Sequence, residues 1–115
     1  MGFVDVGGVS DMPAEGGLRV TVDGIEIGIF RVGDALHALE NLCPHAGAPL
    51  SEGCLEGPIV TCTLHGWRFD VRTGFDPDHA DGFPIPCFAV RVAGARIEVD
   101  VDQVLNRRPR RSPGG

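Results

Sequence analysis

The chain has 115 residues and carries a formal net charge of −6. That length makes one ordinary domain and leaves no room for a separate catalytic domain. At 43% hydrophobic and 23% charged residues, wholesale disorder is excluded. Arg107, Arg108, Arg110 and Arg111 crowd into the last nine residues, which leaves six Arg against 16 acidic residues in 1–106. An acidic body makes nucleic acid or an anionic membrane a poor partner. It suits a basic docking surface on another protein, or is a plain solvated surface.

No export signal is read at the N-terminus, because Met1 to Ser10 has no positive charge and Asp5 interrupts its apolar stretch. No apolar run approaches the roughly 18 residues that a membrane span needs. A soluble, cytoplasmic chain is expected, probing no membrane. Its four Cys then read as ligands or free thiols rather than disulfides.

In chain order, a short helical turn is expected around Val9-Ser10-Asp11-Met12, stopped by Pro13. Residues 18–22 alternate apolar and polar side chains and end at Asp23-Gly24, a pair suited to a tight hairpin turn. Residues 25–32 alternate again up to Gly33-Asp34, and 35–39 read as a third strand. Late in the chain, 88–92 and 96–101 flank Ala93-Gly94-Ala95 as a second hairpin. With 17 Gly and 9 Pro, turns outnumber helices. The fold class expected is all-β, a small antiparallel sandwich or barrel.

Residues 41–82 differ. They are rich in Gly, Pro, Cys and His and poor in periodicity. A loop-rich block inside a compact domain needs a cause of order, and a bound metal centre is one. Residues 107–115 contain almost nothing apolar and read as a disordered tail. The domain expected is therefore 1–106, with a metal-binding subdomain at about 41–82.

Two motifs carry chemistry: Cys43-Pro44-His45, and Cys62-Thr63-Leu64-His65, with 16 residues between His45 and Cys62. Each arm offers one thiolate and one imidazole from a single tight loop. Gly47 and Gly66 stand beside the arms, where a missing Cβ lets backbone approach a metal centre. Zinc accepts Cys₂His₂, but its usual spacings pair Cys with Cys and His with His. A two-iron cluster accounts for the mixed arms more directly, with two Cys on one iron and two His on the other. Four unrelated buried Cys and His is the third reading.

These motifs resemble those of the Rieske [2Fe–2S] proteins, in the soluble ferredoxin style that serves ring-hydroxylating oxygenases. The likeness extends over Cys43-Pro44-His45-Ala46-Gly47-Ala48-Pro49-Leu50-Ser51-Glu52-Gly53, over Cys62 to Asp70, and over Val71-Arg72-Thr73-Gly74. It covers the chain to about Asp102. The resemblance implies Cys43 and Cys62 on the inner iron and His45 and His65 on the outer, surface iron, with one cluster per chain. It implies a one-electron carrier rather than an enzyme, a monomer between a flavoprotein reductase and a terminal oxygenase. The alternative is a small Rieske subunit of a larger reductase, as in assimilatory nitrite reductase. A Cys₂His₂ zinc module is the third.

The sequence departs from the family pattern in one place. The family's third loop carries a Pro about six residues beyond the turn glycine; here that position is Ala80, within an acidic 76–82 stretch, and prolines stand at 77, 84 and 86. His79 in this stretch reads as solvated, with docking as the rival role. Cys54 and Cys87 lack ligand spacing and read as free thiols. The family's respiratory members join their two loops by a disulfide, and the matching positions here are Ala48 and Leu64. His37 reads as a strand residue, and Trp67 as either a packed side chain or part of a docking face.

Overall fold

The computed structural model describes residues 2–42, 48–63, 66–78 and 84–106. Their architecture is the expected all-β one. Among the described residues, nine strands form two antiparallel sheets. The larger contains β1 (Val4–Gly8), β2 (Leu18–Val22), β3 (Ile25–Val32), β4 (Ala35–Glu40), β8 (Cys87–Ala93) and β9 (Arg96–Val104). The smaller contains β5 (Cys54–Glu56), β6 (Ile59–Thr61) and β7 (Arg68–Asp70).

The large sheet is ordered β1-β9-β8-β4-β3-β2. Its edge strands β1 and β2 approach each other, so the sheet nearly closes. The hairpin registers follow the alternation in the sequence. Val22 pairs with Ile25 across Asp23-Gly24, and Val32 pairs with Ala35 across Gly33-Asp34. Asp23 and Gly24 both take positive φ, at 52° and 80°. That is the twist a two-residue hairpin turn requires. The expected helical turn is a single 3₁₀ turn over Val9–Asp11, capped where the Gly8 N–H donates to Asp11 Oδ2 at 2.8 Å.

Two features depart from the reading of the sequence. Strand β1 was not anticipated. Gly7 and Gly8 weaken its pattern, its partner β9 lies some ninety residues away, and its register slips between Asp5 and Gly7. Within 41–82, the block read as loop contains the whole smaller sheet. Its strands have three residues each, too short to display a period of two.

Two apolar cores result. One lies inside the large sheet and is built on Val22, Ile27, Ile29, Ala38, Phe88, Ile97 and Val99. Full burial of each such aliphatic side chain contributes about 1.5–3 kcal/mol. The other lies between the two sheets and gathers Phe30, Leu39, Ala48, Leu50, Val60, Cys62, Phe69, Val71, Ile85 and Cys87. This second core positions the site, because it takes in residues from both motif segments.

Candidate metal centre

Of the four ligand positions read from the sequence, Cys62 lies within the described residues. Cys43, His45 and His65 lie outside them, as do His79, Ala80 and the 107–115 tail. Among the described residues no group of three or more His, Cys, Asp or Glu is gathered as a metal site.

Cys62 follows β6 and is 2% exposed. Its N–H donates to the Trp67 carbonyl at 2.7 Å. This bond joins two residues that flank 63–66 in the sequence. Gly66 at the far end takes φ +68°, a left-handed conformation that strains any residue with a Cβ. Trp67 is half-buried and packs against the core between the sheets. Of its two expected roles, packing is the one this contact bears out.

The described residues on either side of the first motif are held by hydrogen bonds. Asn41 continues β4, its N–H donating to Glu26 O at 2.9 Å. Beyond the motif, Leu50–Glu52 form a 3₁₀ turn ended at Gly53, whose N–H donates to Leu50 O at 2.9 Å. Asn41 Nδ2 donates to Ser51 Oγ at 2.8 Å, and the Ser51 N–H donates to Asn41 Oδ1 at 2.7 Å. The Gly17 N–H donates to Ser51 O at 3.0 Å. Asn41 and Ser51 are both buried, so the pair satisfies polar groups that would otherwise be stranded. Sequence reasoning passed over both residues; nothing in a lone Asn or Ser reveals a partner ten residues away.

Ala48 and Leu50 from the first segment and Cys62 from the second share one core. The chain just beyond the first motif and Cys62 of the second therefore meet in that core. The donor chemistry fits a mixed sulfur and nitrogen site. A thiol in apolar surroundings is a poor acid, and coordination to a cation is what makes it a thiolate there.

The rim is acidic. A surface depression next to the second motif is lined by Glu15, Glu52, Cys54 and Thr63. Asp78 pairs with Arg68 at 3.2 Å beside Trp67. Leu42, directly before the first motif, is 46% exposed. Cys54 is an exposed free thiol on β5 and Cys87 a buried one on β8. Burial pushes the Cys87 thiol up to about 12, with Asp70 adding to the effect.

A turn follows β7 after the second motif. The Thr73 and Gly74 N–H groups both donate to Asp70 O, at 3.2 and 2.7 Å. Asp70 also accepts from Arg72 Nε and Nη2 at 3.1 and 2.8 Å. That guanidinium holds the Asp70 carboxyl below its ordinary value, against the opposing effect of burial. His37, on β4, is half-buried and lines a groove with Arg72, Cys87 and Phe88. Burial lowers its imidazole below the ordinary value, and Arg72 adds to this while Asp70 opposes it.

Residues 2–84 match the Rieske [2Fe–2S] domain. The chain belongs to the Rieske [2Fe–2S] family. One [2Fe–2S] cluster per chain follows from that membership. The chain is 34% identical to the ferredoxin component of the naphthalene 1,2-dioxygenase system of Pseudomonas aeruginosa, over 86% of this chain and 95% of that protein. Among solved structures, it resembles the ferredoxin of carbazole 1,9a-dioxygenase from Nocardioides aromaticivorans IC177 with a TM-score of 0.77 and 34% identity. That match covers 86% of this chain and 97% of the other. A structure of reduced oxygenase with oxidised ferredoxin in carbazole 1,9a-dioxygenase is matched at 35% identity and a TM-score of 0.74, over 84% of this chain and 91% of that one. No helix among the described residues is long and apolar enough to cross a membrane.

Proposed function

We propose that this Rieske protein is a soluble cytoplasmic one-electron carrier, taking electrons from a flavoprotein reductase and passing them to the terminal oxygenase of a ring-hydroxylating system. The observation that carries the reading is its span. The chain accounts for 95% of the length of a relative that is itself a ferredoxin component, with 34% identity. Such a component performs no chemistry on the organic substrate, and the proposal treats this chain as a carrier and not an enzyme.

In this proposal Cys43 and Cys62 hold one iron and His45 and His65 the other. The bound cluster supplies a reversible one-electron store. The chain's own residues do the rest. The apolar core around Cys62 keeps water from the thiolate side. The Asn41–Ser51 pair and the Cys62–Trp67 backbone bond fix the ends of the two ligand loops. The imidazole side faces the partner, because tunnelling needs a short path, and Pro49, Trp67 and the 76–82 stretch form its rim. Glu15, Glu52, Asp76 and Asp78 give that surface a charge that suits a basic partner. Residues 1–106 act as one domain, monomeric, with 41–82 as its cluster-binding part and 107–115 as a tail.

The purified chain is expected to be a red-brown monomer with two irons and two acid-labile sulfides. It is expected to be reduced by an NADH-driven flavoprotein ferredoxin reductase and to be re-oxidised by passing its electron to the oxidised Rieske centre of a terminal oxygenase. A colourless zinc protein overturns the proposal. So does a chain found only as a fixed subunit of a larger reductase.

A further inference from the structure

The end of β9 makes a contact that the electron-carrier reading does not use. Asn106 stands two residues beyond β9 and outside the 2–84 segment matched to the Rieske domain. Its Nδ2 donates to Thr73 O and to Ile85 O, both at 2.7 Å, and lies 3.3 Å from Cys87 Sγ. Its Oδ1 accepts from the Cys87 N–H at 2.9 Å. One side chain thus bridges the two ends of the 75–84 segment and ties both to the base sheet.

The neck it closes is tight. The Ile85 N–H donates to Gly74 O at 2.8 Å, and the Leu105 N–H to Cys87 O at 2.8 Å. Gly74 takes φ +79°, and a Cβ there would stand 2.2 Å from Ile85 O and 2.6 Å from Asn106 Nδ2. Only glycine fits at this crossing. The segment that leaves the neck runs beside the second motif: the Asp70 N–H donates to Phe75 O at 2.9 Å, and Asp78 pairs with Arg68. The segment that returns brings Ile85 into the same core as Cys62 and Ala48.

We infer that Asn106 is a positioning residue for electron transfer: by closing the neck of the 75–84 segment it holds Ile85 in the core around Cys62 and keeps water from that side of the cluster. The inference rests on Cys62 being a cluster ligand. Its physical basis is that three hydrogen bonds from one amide replace water at three backbone groups. Residues around the ligands, by setting solvent access, tune the potential.

The test uses the holoprotein with Asn106→Ala and Asn106→Asp. An ionised Asp keeps the volume but turns a carboxylate oxygen toward two carbonyl oxygens. Hydrogen exchange, read by mass spectrometry, is expected to quicken at least tenfold in peptides covering 73–78 and 84–87. Peptides covering β3 and β4 are expected to stay unchanged, which also shows that the variants fold. The midpoint potential is expected to rise as water reaches the core, with a changed electron paramagnetic resonance spectrum of the reduced protein. In Asn106→Asp both effects shrink on acidification, since a protonated Asp regains a donor; in Asn106→Ala they do not. Local exchange changes with an unaltered potential and spectrum overturn the inference alone. Exchange that quickens evenly across the chain overturns it too, as a global effect. A Cys62→Ser protein that keeps its cluster overturns the ligand reading, and with it the route through Ile85.

Discussion

Asn41 and Ser51 exchange two hydrogen bonds, at 2.8 and 2.7 Å, across the base of the segment that carries Cys43 and His45. Both residues are buried, so removing one strands the other. Asn41→Ala leaves the Ser51 N–H without a protein acceptor, a loss of about 1–3 kcal/mol. Asn41→Asp keeps that acceptor and lets the Ser51 hydroxyl donate instead, so its loss is smaller. Thermal unfolding of the two variants is expected to rank them in this order below the wild type. The rate of iron loss to a chelator is expected to follow the same order, and equal rates in all three proteins count against a role in closing the first loop.

How much of this was legible in the sequence depended on the range of the interaction. Strands β2, β3 and β4 were readable because Val22-Asp23-Gly24-Ile25 and Val32-Gly33-Asp34-Ala35 encode their own turns locally. Strands β8 and β9 were readable for the same reason around Gly94. The Cys43-Pro44-His45 and Cys62-Thr63-Leu64-His65 motifs stood out because metal ligation needs particular side chains at particular spacing. What escaped was settled by distant partners. Strand β1 exists because β9 offers it an edge, and β5 to β7 are ladders of three residues. Asn41, Ser51 and Asn106 are ordinary polar residues until the fold brings Asn41 against Ser51 and supplies Thr73 O and Ile85 O to Asn106.

Ligand and non-ligand cysteines are expected to separate cleanly. Cys43→Ser, Cys62→Ser and His65→Ala each lose the cluster and destabilise 41–82, because metal binding and local order are coupled. Cys54→Ser and Cys87→Ser retain iron. Iodoacetamide at pH 8 labels Cys54, which is exposed, and spares Cys87, whose thiol is buried and held protonated. Iron and sulfide analysis with peptide mapping reads both halves, and a bleached Cys54→Ser protein reverses the assignment.

His37 makes stability depend on pH in a defined direction. Burial lowers its folded value below the ordinary 6.5. The unfolded chain therefore takes up a proton that the folded chain resists, and stability present above that ordinary value is lost as pH falls below it. Asp70, lowered from 3.8, contributes only in a more acidic window. Between pH 8 and pH 5, the fall in unfolding temperature is expected to be smaller in His37→Gln than in the wild type. An identical fall in both removes His37 from the account.

The acidic rim predicts how the protein meets a partner. With cytochrome c as a basic one-electron acceptor, the second-order rate is expected to fall as salt rises. The screening length shrinks from about 30 Å at 0.01 M to about 8 Å at 0.15 M. A steered reaction should lose roughly tenfold across that range. Glu52→Gln and Asp78→Asn are expected to flatten the dependence. A rate indifferent to salt in the wild type discards the electrostatic part of the docking proposal.

The reduction potential follows from what surrounds the cluster. Hydrogen bonds to its sulfurs favour the reduced, more negative state and raise the potential. High-potential Rieske proteins place a Ser hydroxyl after the second His-Gly pair and a Tyr hydroxyl nearby. Here the first position is Trp67, half-buried against the core, and the chain contains no Tyr. The position matching a loop cysteine is Ala48, which is 6% exposed in the same core, so the inter-loop disulfide is absent there as well. The acidic rim adds a further cost to the incoming electron. Every one of these effects lowers the potential, which places the midpoint near the bottom of the Rieske range, at about −150 mV. That value suits an acceptor for flavin electrons and a donor to another low-potential centre, and it does not suit quinol oxidation. Protein-film voltammetry at neutral pH measures it directly. Introducing a hydroxyl with Trp67→Ser is expected to raise the midpoint, whereas a wild-type value above about +100 mV would show that the sulfur hydrogen bonds come from groups other than these hydroxyls.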